Sequence, residues 1–451
     1  MKKFLIASLI CLTAQAGAFA VAQETPAVAQ ETTQSKRFLS KKEQLLKKLD
    51  KEKILLFFVD PVNKKHPENK CENDACVSLV ALIDNAQTSI DFAIYGIAGQ
   101  DEVFNAILRA KSRGVNVRGV TDKNSKNRNP YPDTVPLMNE LSTMKTDYKQ
   151  IDDFTPVRKD YIQQIEYVIN GKTVSADFVN KGIKDYNESI MHNKYFVFDN
   201  EYVYTGSMNV SSSCVNYNSN SSVAIKSKEL AQIYTEDFEQ MYNENKFHKE
   251  KTKLKSENDI IVDQNTSVKA FLLPENRSTY YKISEYIKNA QKYIYVPMFF
   301  FTHSKYPQDL IDAHNRGVDV RLIIDATSAQ TGYSKHEIFR MAGIPVKIEN
   351  WGGKMHQKSM IIDDEYILIG SMNFTSGAHY TNDENSLLIK NTQIAQEFKA
   401  HFEYLWDSIP DKWLTDKPKP ESCDSYNSCV DGIDNDHDGL RDGEDPDCKR
   451  N

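Results

Sequence analysis

Two histidines, each followed two residues later by a lysine, carry the same company of residues at the same spacing. The first set is His192, Lys194, Asp199, Gly206, Ser207 and Asn209; the second is His356, Lys358, Asp363, Gly370, Ser371 and Asn373, each 164 residues after its counterpart. Each set runs through an alternating stretch, Lys194-Tyr-Phe-Val-Phe-Asp199 and Lys358-Ser-Met-Ile-Ile-Asp363, that reads as a strand. Residues two apart on a strand project from one face, so each histidine and its lysine point into one site. A single such pair would read as a surface pair; two full copies exclude chance. Two imidazoles, two ammonium groups and two carboxamides form a trap for phosphate.

The chemistry such a trap suits is phosphodiester cleavage. The anionic oxygens of a phosphodiester repel nucleophiles, and its leaving alkoxide must be protonated. Lys194, Lys358, Asn209 and Asn373 supply charge and donors where negative charge builds in the transition state. One histidine attacks phosphorus to give a phosphohistidine, and the other protonates the departing oxygen and then activates water. No catalytic metal is required.

The double pattern, His-x-Lys-x4-Asp followed by Gly-Ser-x-Asn, resembles that of the phospholipase D superfamily. The resemblance extends past Asn373-Phe-Thr-Ser-Gly to Glu384-Asn385, where family members carry a carboxylate that pairs with the motif histidine. It therefore implies Glu384 against His356; the equivalent residue of the first copy, 28 positions after its histidine, is Asn220. A carboxylate raises the pKa of a neighbouring imidazole more than an amide does, so this pairing makes His356 the general acid and His192 the nucleophile. The family's usual assignment of the first histidine as nucleophile points the same way. Asp199 and Asp363 are expected to end their strands and hold the following turn, and Ser207 and Ser371 either donate a hydrogen bond or fit a tight bend.

The elements that must position these residues are also duplicated. Asn85-Ala-Gln87 before a strand answers Asn289-Ala-Gln291, and Arg113-Gly-Val-Asn-Val-Arg118 answers Arg316-Gly-Val-Asp-Val-Arg321, a helix stopped by glycine and followed by a buried strand. The fold class expected is α/β: two duplicated phospholipase D-like halves with mixed sheets flanked by helices and one shared active site, completed within one chain, so that a monomer can be active. The Arg-Gly pairs lie 203 residues apart, against 164 for the histidines, which places 39 extra residues between Asp122 and His192. This insertion, about 130–185, is expected to form a lobe or lid and mixes Tyr131, Asp152, Asp153, Phe154, Arg158, Lys159 and Tyr161. The expected boundaries are 54–242 for the first half, 243–262 for a charged, solvated linker, 263–410 for the second half and 411–451 for a tail.

Residues 1–20 have the lysines, apolar run and Ala-Phe-Ala end of a cleaved signal peptide, so the chain is expected to be exported, secreted or periplasmic. Residues 21–53 comprise a flexible leader and a basic amphipathic segment, whose leucines are expected to pack on the body rather than on a membrane. Without Cys11 six cysteines remain, and an even number in an exported chain suggests disulfides, with Cys71–Cys76 and Cys429–Cys448 favoured by proximity. The formal charge of the 451 residues is −7. Residues 421–451 hold 10 acids and 3 basic residues, and residues 1–35 balance, so the body between them is neutral. Neutrality gives no electrostatic argument for nucleic acid, where clustered basic surface is expected.

Within that acidic tail, Asp434, Asp436, Asp438, Gly439, Asp442 and Asp445 match positions 1, 3, 5, 6, 9 and 12 of a calcium loop, with the backbone of Leu440 at position 7. A structural calcium is the expected cofactor, and none is expected for catalysis. The expected function is hydrolysis of phospholipid phosphodiesters, supported by export, the neutral body and the aromatic run Met298-Phe299-Phe300-Phe301, with a phospholipid or membrane surface as partner. Two alternatives stand beside it: a secreted endonuclease of the same superfamily acting on DNA or RNA, and an exported, non-catalytic binding protein for phosphate or membranes.

Overall fold

The computed structural model describes residues 40–123, 129, 131–147, 158–184, 189–254, 259–274 and 278–449. The expected signal peptide and leader, and Asp152, Asp153 and Phe154 of the insertion, lie outside these residues, as do the side chains of Arg158, Lys159 and Tyr161. No helix among the described residues is long and apolar enough to cross a membrane.

The first half is built on a seven-stranded sheet. Its strands are β1 (Ile54–Val59), β2 (Ser89–Ile94), β3 (Asn116–Thr121), β4 (Met144–Thr146), then, beyond the insertion hairpin β5 (Arg158–Ile169) and β6 (Lys172–Lys184), β7 (Lys194–Phe198), β8 (Tyr202–Gly206) and β9 (Asn220–Lys226). They lie in the order β1-β9-β8-β7-β2-β3-β4. The second half repeats that order with one strand added at its edge. It comprises β10 (Ile260–Asp263), β11 (Thr266–Leu273), β12 (Tyr293–Met298), β13 (Asp319–Ile324), β14 (Val346–Ile348), β15 (Ser359–Ile362), β16 (Tyr366–Gly370) and β17 (Glu384–Lys390), in the order β10-β11-β17-β16-β15-β12-β13-β14. Both sheets are mixed. Parallel pairs join β2 to β3 and β12 to β13 through helical crossovers, whereas the motif strands β7 and β15 pair antiparallel with β2 and β12.

The duplicated Arg-Gly pairs end the helices Asp101–Ser112 and Tyr306–Asn315, where Gly114 (φ +86°) and Gly317 (φ +94°) adopt the left-handed conformation that lets the chain reverse into β3 and β13. The matching Asn-Ala-Gln segments have a different reason. Asp199, at φ 52°, accepts from the backbone N–H groups of Gln87, Thr88 and Ser89 at 2.7–3.1 Å, and Asp363 does the same for Gln291, Lys292 and Tyr293 at 2.6–3.0 Å. Each motif aspartate thus ties the end of its own strand to the start of the neighbouring one.

The basic segment forms the helix Lys41–Glu52, opened by a reciprocal capping box between Ser40 and Glu43. Leu49 is buried, and Leu45 and Leu46 pack with it on the core of the first half, so its apolar face is covered by the body. The insertion hairpin crosses to the other half. Tyr167, Ile169 and Phe178 belong to the second half's core, and Val168 exchanges backbone hydrogen bonds with the Gln308 side chain.

Two expectations for the linker are corrected. Strand β10 begins inside the segment assigned to the linker and pairs with β11. The linker itself is not uniformly solvated: Lys251 is buried between Asp237 (2.6 Å) and Asp383 (3.3 Å), and His248 lies between Asp383 (2.9 Å) and Asp147 (3.3 Å). Charge in a sequence reads as solvent exposure, and only the fold shows that these charges meet opposite partners inside. The disulfides Cys71–Cys76 and Cys429–Cys448 form as expected, leaving Cys214 buried and Cys423 exposed as free thiols.

Candidate active site

The two histidines enter the site just before β7 and β15, and each is pinned by the opposite half. His192 donates its backbone N–H to Asp383 O at 2.9 Å, and His356 donates its own to Ser219 O at 2.9 Å. One residue earlier, Met191 N–H reaches Asp122 Oδ1 (2.9 Å) and Met355 N–H reaches Asp325 Oδ2 (3.1 Å). These four anchoring residues were not singled out from sequence, yet a signal was there: Asp325 follows Asp122 by 203 positions and Asp383 follows Ser219 by 164, the two offsets of the duplication.

The side-chain pairing is crossed relative to the expectation. Both oxygens of Glu384 lie 2.9 Å from Nδ1 of His192, and Asn220 Oδ1 lies 2.9 Å from Nδ1 of His356. The expected pairs, Glu384 with His356 and Asn220 with His192, are therefore wrong, and the protonation argument built on them falls. The physical reason is the topology. Glu384 opens β17 and Asn220 opens β9, and the isolated parallel bridges Met191–Asp383 and Ser219–Met355 bring the start of each strand beside the histidine of the other half.

Both rings have a defined tautomer. A carboxylate only accepts, so Nδ1 of His192 carries the hydrogen. Asn220 Nδ2 already donates to Cys214 O at 2.8 Å, which turns Oδ1 toward His356 and makes that Nδ1 a donor too. In each case Nε2 is left for chemistry. The motif serines complete the same relay: Ser371 Oγ donates to Glu384 at 2.6 Å and Ser207 Oγ to Asn220 Oδ1 at 2.8 Å. Gly206 and Gly370 allow this approach, because a Cβ at either would collide with Ser221 O or Asn385 O on the adjacent strand.

The lysines stand on the same face as their histidines, Lys194 Nζ donating to His192 O at 2.7 Å and Lys358 Nζ to His356 O at 2.6 Å. The site gathers more positive charge than Glu384 balances. Burial lowers the Lys194 ammonium to about 8, with Glu384 partly offsetting it, and burial with the repulsion of Lys194 drives Lys358 well below its ordinary value. Burial also lowers His192 against the pull of Glu384, and burial with both lysines drives His356 well down. An anion bound there would supply the missing counter-charge.

Asn373 and Asn209 are not equivalent. Asn373 Oδ1 accepts from Phe300 N–H at 3.2 Å, which leaves Nδ2 as its donor for a ligand, whereas Asn209 Nδ2 donates to the Tyr131 hydroxyl at 3.0 Å. Tyr131 is thus a site residue. It does not belong to the extra segment, and the expected bounds of about 130–185 are corrected: the helix Thr134–Glu140 and β4 have counterparts in His336–Met341 and β14, so the insertion falls between β4 and β7. Tyr95 meets His192 edge-on at 5.6 Å, and Phe299 lies 5.0 Å from His356 with the Lys358 ammonium over its face. Of the aromatic run, Phe301 is core and Phe299 lines the site. Asp199 and Asp363 serve the strand ends as described above.

In the tail, Glu421, Asp436 and Asp445 bring carboxylate oxygens together, as do Asp434, Asp436 and Asp438. Asp442 departs from the expected ligand ring: its carboxylate accepts from Gly432 N–H at 3.1–3.2 Å. Leu440 donates its N–H to Asp438. The loop closes on backbone donors, and Glu421, outside the motif, takes the place beside Asp445.

Residues 79–242 and 283–406 match the family model described as cardiolipin synthase, PLD-like domain. A mitochondrial cardiolipin hydrolase of Chlamydomonas reinhardtii is 33% identical over 123 residues, 27% of this chain and 55% of that protein. A phospholipase D of Rickettsia bellii is 31% identical over 137 residues, 30% of this chain and 63% of that protein. The chain thus spans little more than half the length of these relatives. The crystal structure of a phosphatidylserine synthase from Haemophilus influenzae superposes over 84% of this chain and 94% of its own, with a TM-score of 0.51 at 16% identity, a likeness of fold.

Proposed function

We propose, for a chain that belongs to the phospholipase D superfamily, that it hydrolyses phospholipid phosphodiester bonds through a phosphohistidine. The observation that carries this reading is the crossed pairing of two tautomer-fixed histidines above two buried lysines. His192 is the nucleophile: Glu384 on Nδ1 balances the positive charge that the ring acquires as Nε2 bonds to phosphorus. His356 is the acid. Its neutral partner and the nearby lysines leave the imidazolium a strong donor once a bound anion has brought the proton in.

In the first half-reaction the His192 Nε2–P bond forms, the P–O bond to the leaving group breaks, and the Nε2 proton of His356 passes to the departing oxygen. In the second, His356 takes a proton from water, the hydroxyl oxygen bonds to phosphorus, and the N–P bond breaks. The lysines and Asn373 Nδ2 hold the nonbridging oxygens throughout. Lipid as substrate is supported by the names of the relatives, a cardiolipin hydrolase and a phospholipase D, by the neutral body, and by the aromatic wall of Tyr95, Tyr131 and Phe299.

The test incubates purified protein and His192→Ala, with EDTA, against vesicles of phosphatidylcholine or cardiolipin and against single- and double-stranded DNA. Phosphatidic acid released from phosphatidylcholine, or phosphatidylglycerol with phosphatidic acid from cardiolipin, by the wild type alone is the expected result. Cleavage of DNA alone would replace lipid by nucleic acid as the substrate. Ligand binding without cleavage of either would leave a non-catalytic phosphate site.

A further inference from the structure

We propose that Glu421, Asp436 and Asp445 bind one calcium ion, and that this ion fastens the tail to the segment Gly352–Lys354 that leads into His356. One carboxylate oxygen of each of the three residues lies within 4.8 Å of the others. That is the span of two ligands on a shared calcium when each stands about 2.4 Å from it. Acidic clusters are common on surfaces, but two of these three carboxylates are buried, with the half-buried Asp436 beside them. Glu421 is 0% exposed and Asp445 is 1% exposed. The Oδ2 atom of Asp445 is buried with no hydrogen-bond partner, while Oδ1 accepts from Asp447 N–H. A buried, unpartnered carboxylate oxygen beside two further carboxylates requires a cation or a proton.

The ligand set selects calcium. Oxygen donors of irregular spacing suit a large hard cation with flexible coordination, whereas magnesium demands a near-ideal octahedron. The second group, Asp434 with Asp436 and Asp438, is the poorer site, because none of its carboxylates is fully buried: Asp434 and Asp436 are half-buried and Asp438 is exposed.

The connection to the catalytic segment runs through Asn435, the neighbour of Asp436. Its backbone N–H donates to Glu421 at 2.6 Å, its Nδ2 donates to Gly352 O at 2.7 Å and to Asp431 at 3.1 Å, and its carbonyl accepts from the Lys354 ammonium. Asp431 in turn accepts from the Tyr217 hydroxyl at 2.6 Å. Tyr217 stands three residues before Asn220, and Lys354 two before His356. The ion therefore braces both members of the His356–Asn220 pair from behind. The Cys429–Cys448 bridge closes the loop around it.

The experiment measures calcium binding by the EDTA-stripped full-length protein in equilibrium dialysis with radioactive calcium, so its outcome does not depend on the substrate proposed above. One ion per chain is expected, with affinity lowered at least tenfold in both Glu421→Gln and Asp445→Asn. Asp442→Asn, in the loop pattern but turned to Gly432, keeps its affinity within about threefold on the twofold-to-threefold context dependence of such contacts. A parallel thermal unfolding series on the wild type alone guards against variants that do not fold: calcium raises the midpoint, and magnesium at equal concentration raises it less. Absence of saturable binding up to about 10 mM, beyond the range of weak extracellular sites, overturns the proposal. Equal loss of binding in Asp442→Asn overturns the ligand set.

Discussion

Glu384 of the second half holds Nδ1 of His192 in the first, 2.9 Å from each carboxylate oxygen, while Nδ1 of His356 faces the neutral oxygen of Asn220. In the mechanism proposed above, the asymmetry between two otherwise duplicated histidines sets their roles, and it can be exchanged. Glu384→Gln removes the charge that balances the phosphorylated ring, and kcat is expected to fall about 10²- to 10⁴-fold, the range of acid–base and orienting groups. Asn220→Asp adds a carboxylate to His356 and raises its pKa. Because the acid must be protonated, the alkaline limb of the kcat profile moves to higher pH. A profile unmoved by Asn220→Asp would remove His356 from the role of acid.

Anion binding and proton uptake are linked in this site. With burial holding Lys194 at about 8, and Lys358 depressed alongside it, the free site is short of protons in mildly alkaline solution. An oxyanion raises both pKa values, so binding takes up protons and affinity falls as pH rises above about 8, by up to tenfold per pH unit for each proton taken up. Calorimetric titration with tungstate in buffers of different ionisation enthalpy measures that uptake. In Lys194→Met the slope is smaller.

The motif aspartates support the fold rather than the reaction. Asp199 accepts from three backbone N–H groups and the Thr88 hydroxyl, at a positive φ. Asp199→Ala strands these donors and strains the turn, and is expected to destabilise the protein by about 2 kcal/mol. Asp199→Asn recovers part of the loss, because asparagine tolerates the left-handed conformation and keeps one acceptor. Urea unfolding measures both, with kcat of the folded fraction unchanged.

The duplication, the catalytic residue types and the α/β halves could be read from sequence because a strand's period of two and a repeat's fixed offset are local or linear properties. The crossed pairing could not. It depends on which strand end of one half abuts the other, and the two copies offer the same 28-residue spacing whichever way they pair. Tyr131 was hidden for a related reason: the residue 203 positions on is Ser334, so the repeat does not mark it. In the tail the loop pattern identified Asp436 and Asp445, but Glu421 precedes the loop by 13 residues and joins them through the fold. The charged linker misled because Lys251 and His248 find Asp237, Asp383 and Asp147 far from them in the chain.

That buried linker network makes stability depend on pH in a defined window. His248 is contacted by Asp383 and Asp147, with Lys251 on the far side of Asp383, and these carboxylates outweigh burial to raise its pKa to about 9. A group whose pKa rises on folding stabilises the native state fully below its unfolded value of about 6.5, and the contribution fades as pH climbs through the folded value. His248→Gln is therefore expected to lose about 3 kcal/mol at pH 6, an order-of-magnitude figure. The gap to the wild type should narrow steadily up to pH 9 and close above it. Comparing the two proteins at each pH cancels the opposing contribution of the depressed lysines, which both retain. Asp383 also accepts the backbone N–H of His192 at its carbonyl and donates its own N–H to Ile190 O, so the same loss of charge loosens the anchor of His192. A gap that stays constant from pH 6 to pH 10 would show that His248 is neutral in the folded protein.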